Sequence, residues 1–205
     1  NSHARDGDNI MAAATQGIDR LILSGLGACP PIRPLPGDSR VNRNYRKFAQ
    51  CERMNEERWT PEYYDGVDYV VVSTTFSGRF GPDELREYID FIQGLGIRKI
   101  IVIGQFIHLR EDLLVTLPKA GTLHNLVTTY SDNKSFRHNA EVARICEETG
   151  CLFVDKKNLL ADETGWILET EGIPFTWDRG HLTWEFATMI GRLARPEILR
   201  YLNNF

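Results

Sequence analysis

Asp178 and His181 stand three residues apart in the stretch Trp177-Asp178-Arg179-Gly180-His181-Leu182-Thr183, close to the C-terminus. On a Gly-containing turn at the mouth of an amphipathic helix, that spacing lets one carboxylate hold the near nitrogen of one imidazole. The far nitrogen then faces outward. An imidazole held in this way is suited to act as a general base toward a nucleophile. The pattern is short, and Asp178 capping the last helix would satisfy it equally. The chemistry therefore turns on whether the chain carries a nucleophile able to meet it.

Two serines compete for that role. Ser39 lies in Gly37-Asp38-Ser39, an esterase-like tripeptide. A catalytic serine on an α/β sheet sits on a sharp turn after a buried strand, where a helix start helps hold an oxyanion. Ser39 instead follows Pro31-Ile32-Arg33-Pro34-Leu35-Pro36-Gly37-Asp38, and such a proline-rich run cannot be a central strand. Ser2 has the better context, because Asn1-Ser2-His3-Ala4 runs directly into a helix. The feeding strand is expected just before residue 1, since Asn1-Ser2-His3 reads as a cut within a larger protein. A chain truly starting there would lack a central strand and is expected to be unstable.

The elements that must position these residues alternate between helix and strand. Residues 4–17 read as a helix with Ile10, Met11 and Ala14 on one face, ended by Gly17. Residues 21–23 read as a short buried strand, and four prolines between 30 and 36 mark a loop. Residues 42–58 read as a helix with Tyr45, Phe48 and Cys51 on an apolar stripe. Consecutive apolar residues at 67–73 and 99–104 suggest parallel strands buried on both faces. Pro82 opens a helix at 83–94 that closes at Gly94 or Gly96. Residues 105–130 suggest a loop and short helices, and 134–149 a helix closed by Gly150. A strand at 151–155 and a loop with some helix at 156–176 follow. A final helix from 183 to about 202 should turn Phe186, Ile190 and Leu193 inward.

This order implies a three-layer α/β/α sandwich with a central parallel sheet, of the flavodoxin-like kind. Ligands of such sheets sit beyond the carboxyl ends of the strands, where the loops 24–28, 73–79 and 104–108 should gather. At 205 residues, 42% hydrophobic and 25% charged, the chain suits one domain, 1–205. A net charge of −4 without a long basic run argues against nucleic acid as a partner. No run approaches 18 apolar residues, and residues 1–9 are too polar for a signal peptide. The four cysteines at 29, 51, 146 and 151 allow three pairings or a fully reduced set. The in-order pairing crosses the least chain, and a bridge closing about 20 residues adds roughly 3 kcal/mol. Zinc is not expected, since no C-x-x-C pair or histidine cluster accompanies them.

Three blocks taken together are more specific. Asn1-Ser2-His3-Ala4, then Cys29-Pro30-Pro31 with a later Cys51, then Asp178-Arg179-Gly180-His181-Leu182-Thr183 occur in order across nearly the whole chain. In this the chain resembles SGNH (GDSL-like) hydrolase domains, in particular those fused to acyltransferase-3 membrane proteins. The first block lacks the Gly that usually opens it. The resemblance implies Ser2 as nucleophile, His181 as base and Asp178 as its orienting partner. It departs from the pattern at the third block, where Thr75-Phe76-Ser77 stands without the usual Asn. Thr75 and Ser77 are then the side-chain candidates for the oxyanion hole, beside backbone N–H groups of Ser2 and of Gly27 or Ala28. Loss of one donor costs about 10²–10³ in rate, which slows an enzyme without abolishing it.

The resemblance implies serine-dependent O-acyl transfer or ester hydrolysis through an acyl-Ser2 intermediate, with no metal or cofactor. The partners would be an acyl donor and a cell-surface glycan acceptor, with an acyltransferase-3 membrane domain upstream in the same polypeptide. The location would be periplasmic or extracytoplasmic, tethered to the inner membrane. Such a compartment favours the bridges Cys29–Cys51 and Cys146–Cys151. The competing expectation, motivated by the missing Asn, is a catalytically degenerate domain that binds glycan or a partner. His3 is read as structural, pointing away from the site; His108, after a strand end, is read as a packed or exposed loop residue, with lining the site as the alternative. His124 and His138 are read as surface residues, and Arg79 as a solvated loop residue. Trp177 and Trp184 flank the turn, and both sugar stacking and core packing fit them.

Overall fold

The computed structural model describes residues 2–16, 29–34, 48–76, 80–132, 136–163 and 165–203. The expected strand at 21–23, the serine at 39, Gly27, Ala28, Ser77, Arg79 and the first residues of the 42–58 helix lie outside these. So do the side chains of Ser2 and Phe48.

Helix α1 (Ser2–Thr15) starts two residues earlier than its composition suggests and stops at Gln16, which takes a positive φ of 55°. Cys29 is bonded through a disulfide to Cys51 in helix α2 (Phe48–Arg58). Strand β1 (Tyr69–Ser73) leads to α3 (Pro82–Gly94). Pro82 opens α3 as the sequence signals foretell, and the Glu84 carboxylate accepts from the Gly81 N–H at 2.9 Å. Strand β2 (Lys99–Ile103) follows, then the short helices α4 (Leu113–Ala120) and α5 (Leu123–Tyr130). Helix α6 (Asn139–Thr149) ends on Gly150 in the left-handed conformation, and β3 (Leu152–Val154) completes the described sheet.

The strands pair in parallel in the order β1-β2-β3. Their alternate residues feed two separate cores. Ile101, Ile103 and Val154 face the layer of α1, and Ile100 and Val102 face the layer of α3 and α6. The strands are mostly apolar because helices cover both sides of the sheet. The expectation of burial on both faces holds for β2 but not for β1, where only Val72 is buried. Among the described residues β1 has β2 alone as a paired neighbour.

Past β3, helix α7 (Lys156–Leu159) precedes two small hairpins, β4 (Ala161–Asp162) with β5 (Gly165–Trp166) and β6 (Glu169–Thr170) with β7 (Ile173–Pro174). These hairpins were not expected. In the second, Glu171 and Gly172 both take positive φ (53° and 76°), the geometry of a two-residue hairpin turn.

The last helix, α8 (Trp184–Asn203), packs against α1. Its buried face is Phe186, Ala187, Ile190, Gly191, Ala194 and Ile198. Leu193 is 44% exposed and does not face inward as expected. The small residues set the buried face, because they let α1 come close. A Cβ on Gly191 would lie 2.3 Å from the Ile10 carbonyl oxygen. Leu193 falls roughly 100° from the centre of that face at 100° per residue.

Candidate active site

The turn carrying Asp178 and His181 is closed at its base by an antiparallel bridge between Thr176 and Leu182. Within it one carboxylate organises the backbone. Asp178 Oδ1 accepts from the Gly180 N–H at 2.8 Å, the His181 N–H at 3.0 Å and the Thr176 hydroxyl at 3.0 Å. Its other oxygen, Oδ2, lies 2.5 Å from His181 Nδ1. Burial by itself would push the Asp178 carboxyl up. The donated bonds from Gly180, His181 and Thr176 outweigh it and hold the group well below the ordinary carboxylate value. An ionised carboxylate only accepts, so Nδ1 carries the proton.

The turn is fastened to the rest of the fold on three sides. Thr183 donates its N–H to the Phe175 carbonyl at 3.0 Å and its hydroxyl to the Pro174 carbonyl at 3.0 Å. The Leu113 N–H, at the start of α4, donates to the Asp178 carbonyl at 2.9 Å. The Leu109 N–H, in the loop after β2, donates to the Arg179 carbonyl at 2.6 Å. The Arg179 side chain pairs with Asp112 at 3.0 Å. The unexpected β6–β7 hairpin delivers the chain to this place, so it belongs to the site's scaffold.

Ser2 is the first residue of α1. The next residue, His3, places its ring 4.8 Å from the ring of His181, centroid to centroid and tilted by 33°. The backbone start of α1 and the Asp178–His181 turn therefore share one location, 179 positions apart in sequence. The contact corrects the expectation that His3 points away from the site. The helical first turn sets residue 3 against the His181 turn, and the sequence neighbourhood of Ser2 carries no sign of that.

The Ser73 hydroxyl, at the carboxyl end of β1, donates to the His3 carbonyl at 2.7 Å. Gly7 permits this seating, since a Cβ there would lie 2.5 Å from Ser73 Cβ. Site and strand ends coincide, as expected for an open parallel sheet. Thr75 stands two residues beyond β1 on this same side and is half-buried.

His108 also belongs to this neighbourhood. A Cβ on Gly180 would lie 2.8 Å from its ring. Burial, then the neighbouring His3, hold the His108 imidazole below its ordinary value, against the pull of Asp132 and Asp178. Trp177 (51% exposed) and Trp184 (63% exposed) stand out from the turn, which removes core packing as their role. The Asp178 and His181 side chains are themselves nearly half exposed. A cleft of about 660 Å³ lined by Tyr64, Asp65, Val67 and Lys99 opens at the opposite end of β1 and β2 and touches none of these residues. Both bridges, Cys29–Cys51 and Cys146–Cys151, are formed.

The fold and the turn define a class: an α/β sandwich with an Asp-His pair at the carboxyl edge of its parallel sheet, beside a helix that begins on a serine. The chain belongs to the family of SGNH domains fused to AT3 domains, whose profile matches residues 1–196. No curated protein matches it significantly. It is similar in fold to the periplasmic domain of a lipopolysaccharide acetyltransferase from Salmonella ser. Paratyphi A. The TM-score is 0.70 at 15% identity, over 95% of this chain and 78% of that one. Family membership supports acyl transfer or ester hydrolysis as the class of chemistry and an AT3 domain as a partner. The two disulfides fit an extracytoplasmic compartment.

Proposed function

We propose that the chain is the SGNH domain of a serine-dependent O-acyltransferase or esterase, with Ser2, His181 and Asp178 as its triad. His181 takes the Ser2 hydroxyl proton as Ser2 attacks the acyl carbonyl. The tetrahedral intermediate collapses, and its leaving oxygen recovers that proton from His181. A water or a sugar hydroxyl then gives its proton to His181 and attacks acyl-Ser2, and Ser2 leaves with the proton. Asp178 fixes the imidazole tautomer and stabilises the imidazolium. The Ser2 N–H at the start of α1 is one oxyanion donor, joined by Gly27 or Ala28 and by Thr75 or Ser77.

The observation that carries this reading is the meeting of α1's first turn with His181, through the His3 ring contact. The AT3 association and the acetyltransferase neighbour favour an acyl group delivered across the membrane by an upstream domain. The acceptor is then a cell-surface glycan, and the two exposed tryptophans beside His181 offer flat apolar faces to a sugar ring. The domain would lie outside the inner membrane, tethered by those upstream segments, with residues 1–205 forming one domain.

The absence of an Asn at Thr75-Phe76-Ser77 favours a second reading, a domain that binds glycan without turning it over. Hydrolysis of an aryl acetate by the wild type and by Ser2→Ala separates the two. The catalytic reading expects turnover that Ser2→Ala abolishes. Wild-type turnover no faster than that of Ser2→Ala would leave the binding reading standing.

A further inference from the structure

Asp6 lies one turn into α1 and is 4% exposed. A carboxylate so buried needs partners, and it has them on three elements. Its Oδ2 pairs with His3 Nδ1 at 3.2 Å within α1. The same oxygen accepts from the Leu182 N–H at 3.3 Å, across 176 residues of sequence. The buried Lys156, at the start of α7, feels its charge. Leu182 follows His181 directly, and the His3 ring lies against the His181 ring. One oxygen thus ties the residue after Ser2 to the residue after His181.

We propose that Asp6 is a positioning residue: by holding His3 and the Leu182 amide together it sets the start of α1 in register with the His181 imidazole. The inference rests on the reading of Ser2 and His181 as the reacting pair. The two halves of that pair come from opposite ends of the chain, and each has its own anchorage. The start of α1 hangs on β1 through the Ser73–His3 bond, and the His181 turn hangs on α4 and β7. Asp6 bonds to both halves. Nucleophilic attack is steep in distance, and an error of about 1 Å costs up to roughly 10²-fold.

Three variants test this. Asp6→Asn removes the charge, His3→Phe keeps a ring against His181 but loses the donor to Asp6, and His3→Asn keeps a donor but loses the ring. Aryl acetate kinetics should show kcat lowered about 10–100-fold in Asp6→Asn and in His3→Phe, with KM little changed. The double variant should fall no further than either single one, and His3→Asn should retain most of the rate. In proton NMR, the downfield His181 Nδ1 resonance should shift or broaden in the first two variants and stay in place in His3→Asn. Wild-type kcat and an unmoved resonance in Asp6→Asn and His3→Phe, alongside a lowered Tm, would make Asp6 purely structural and overturn the inference. Should Asp6→Asn fail to fold, the two His3 variants decide alone. A wild type without turnover would sink the reading of the site, and the NMR comparison would still decide whether Asp6 places His181.

Discussion

Asp178 does two jobs with its two oxygens: Oδ1 shapes the turn, and Oδ2 orients His181. Replacing it with Asn preserves volume but offers an N–H₂ where an acceptor is needed. In Asp178→Asn the imidazole is free to take the wrong tautomer, and kcat on an aryl acetate should fall by about 10⁴. The same carboxylate gives a signed effect on stability. A group whose folded value is depressed contributes stability that is present above its ordinary value of 3.8 and is lost as pH falls below that. The wild type's advantage over Asp178→Asn in urea melts should therefore shrink below about pH 4. Lys156 acts in the opposite sense. Burial lowers its amine from 10.5 to about 8, with Asp6 pulling back up. Below pH 8 the folded chain carries the cost of a buried ammonium, on the order of 3 kcal/mol at 1.36 kcal/mol per unit. The unfolded chain binds more protons between pH 8 and 10.5, so that cost recedes as pH rises. The stability of Lys156→Met relative to wild type should accordingly decline across that window. Of these residues, Asp178 and His181 were marked by their spacing, which became specific only beside the Ser2 and Cys29-Pro30-Pro31 blocks. Asp6, His3 and Lys156 were not, since the contacts of Asp6 with Leu182 and of His3 with His181, and the charge Lys156 feels, come from parts of the chain distant in sequence.

Helix α1 is the element on which the site depends, and it is placed by close packing. Gly191 of α8 lets the Ile10 backbone approach, and Gly7 lets α1 rest on Ser73. Gly191→Ala sets a methyl group against backbone, which has no rotamer by which to yield. The expected cost is about 1–3 kcal/mol of stability, measured as a lowered Tm. Displacement of α1 should also lower kcat, because its first turn moves with it. Helix periodicity in α8 pointed to the largest apolar residues, Phe186, Ile190 and Leu193. Phe186 and Ile190 are buried as expected, but the face turns toward Ala187, Gly191 and Ala194 and leaves Leu193 exposed. Hydrophobicity alone ranks residues by size, whereas an interhelical contact is governed by how near two backbones come. The β6–β7 hairpin escaped notice for a local reason. Its turn is Glu171-Gly172, and only the Gly half follows the usual Asn-Gly or Asp-Gly signature.

At the scale of the whole molecule, two covalent clips cross-link the chain. Cys29–Cys51 joins residues 22 apart, the second in α2, and Cys146–Cys151 joins residues 5 apart between α6 and the residue before β3. Loop entropy makes the longer clip worth about 3 kcal/mol and the shorter about 2. Denaturant titration of the Cys29→Ser/Cys51→Ser and Cys146→Ser/Cys151→Ser variants should rank them in that order. Taken by itself, the sequence determined the layer architecture. Apolar runs bounded by Gly and Pro, alternating with amphipathic stretches, admit few arrangements other than a covered parallel sheet. It also determined the Asp178–His181 pair, whose geometry is local to one turn. The tertiary structure alone decided that α1's first turn meets that pair, that His3 lies against His181 and that Asp6 reaches Leu182. Contacts across more than 170 residues depend on how the sheet stacks its helices, and no periodicity or spacing within a segment encodes them.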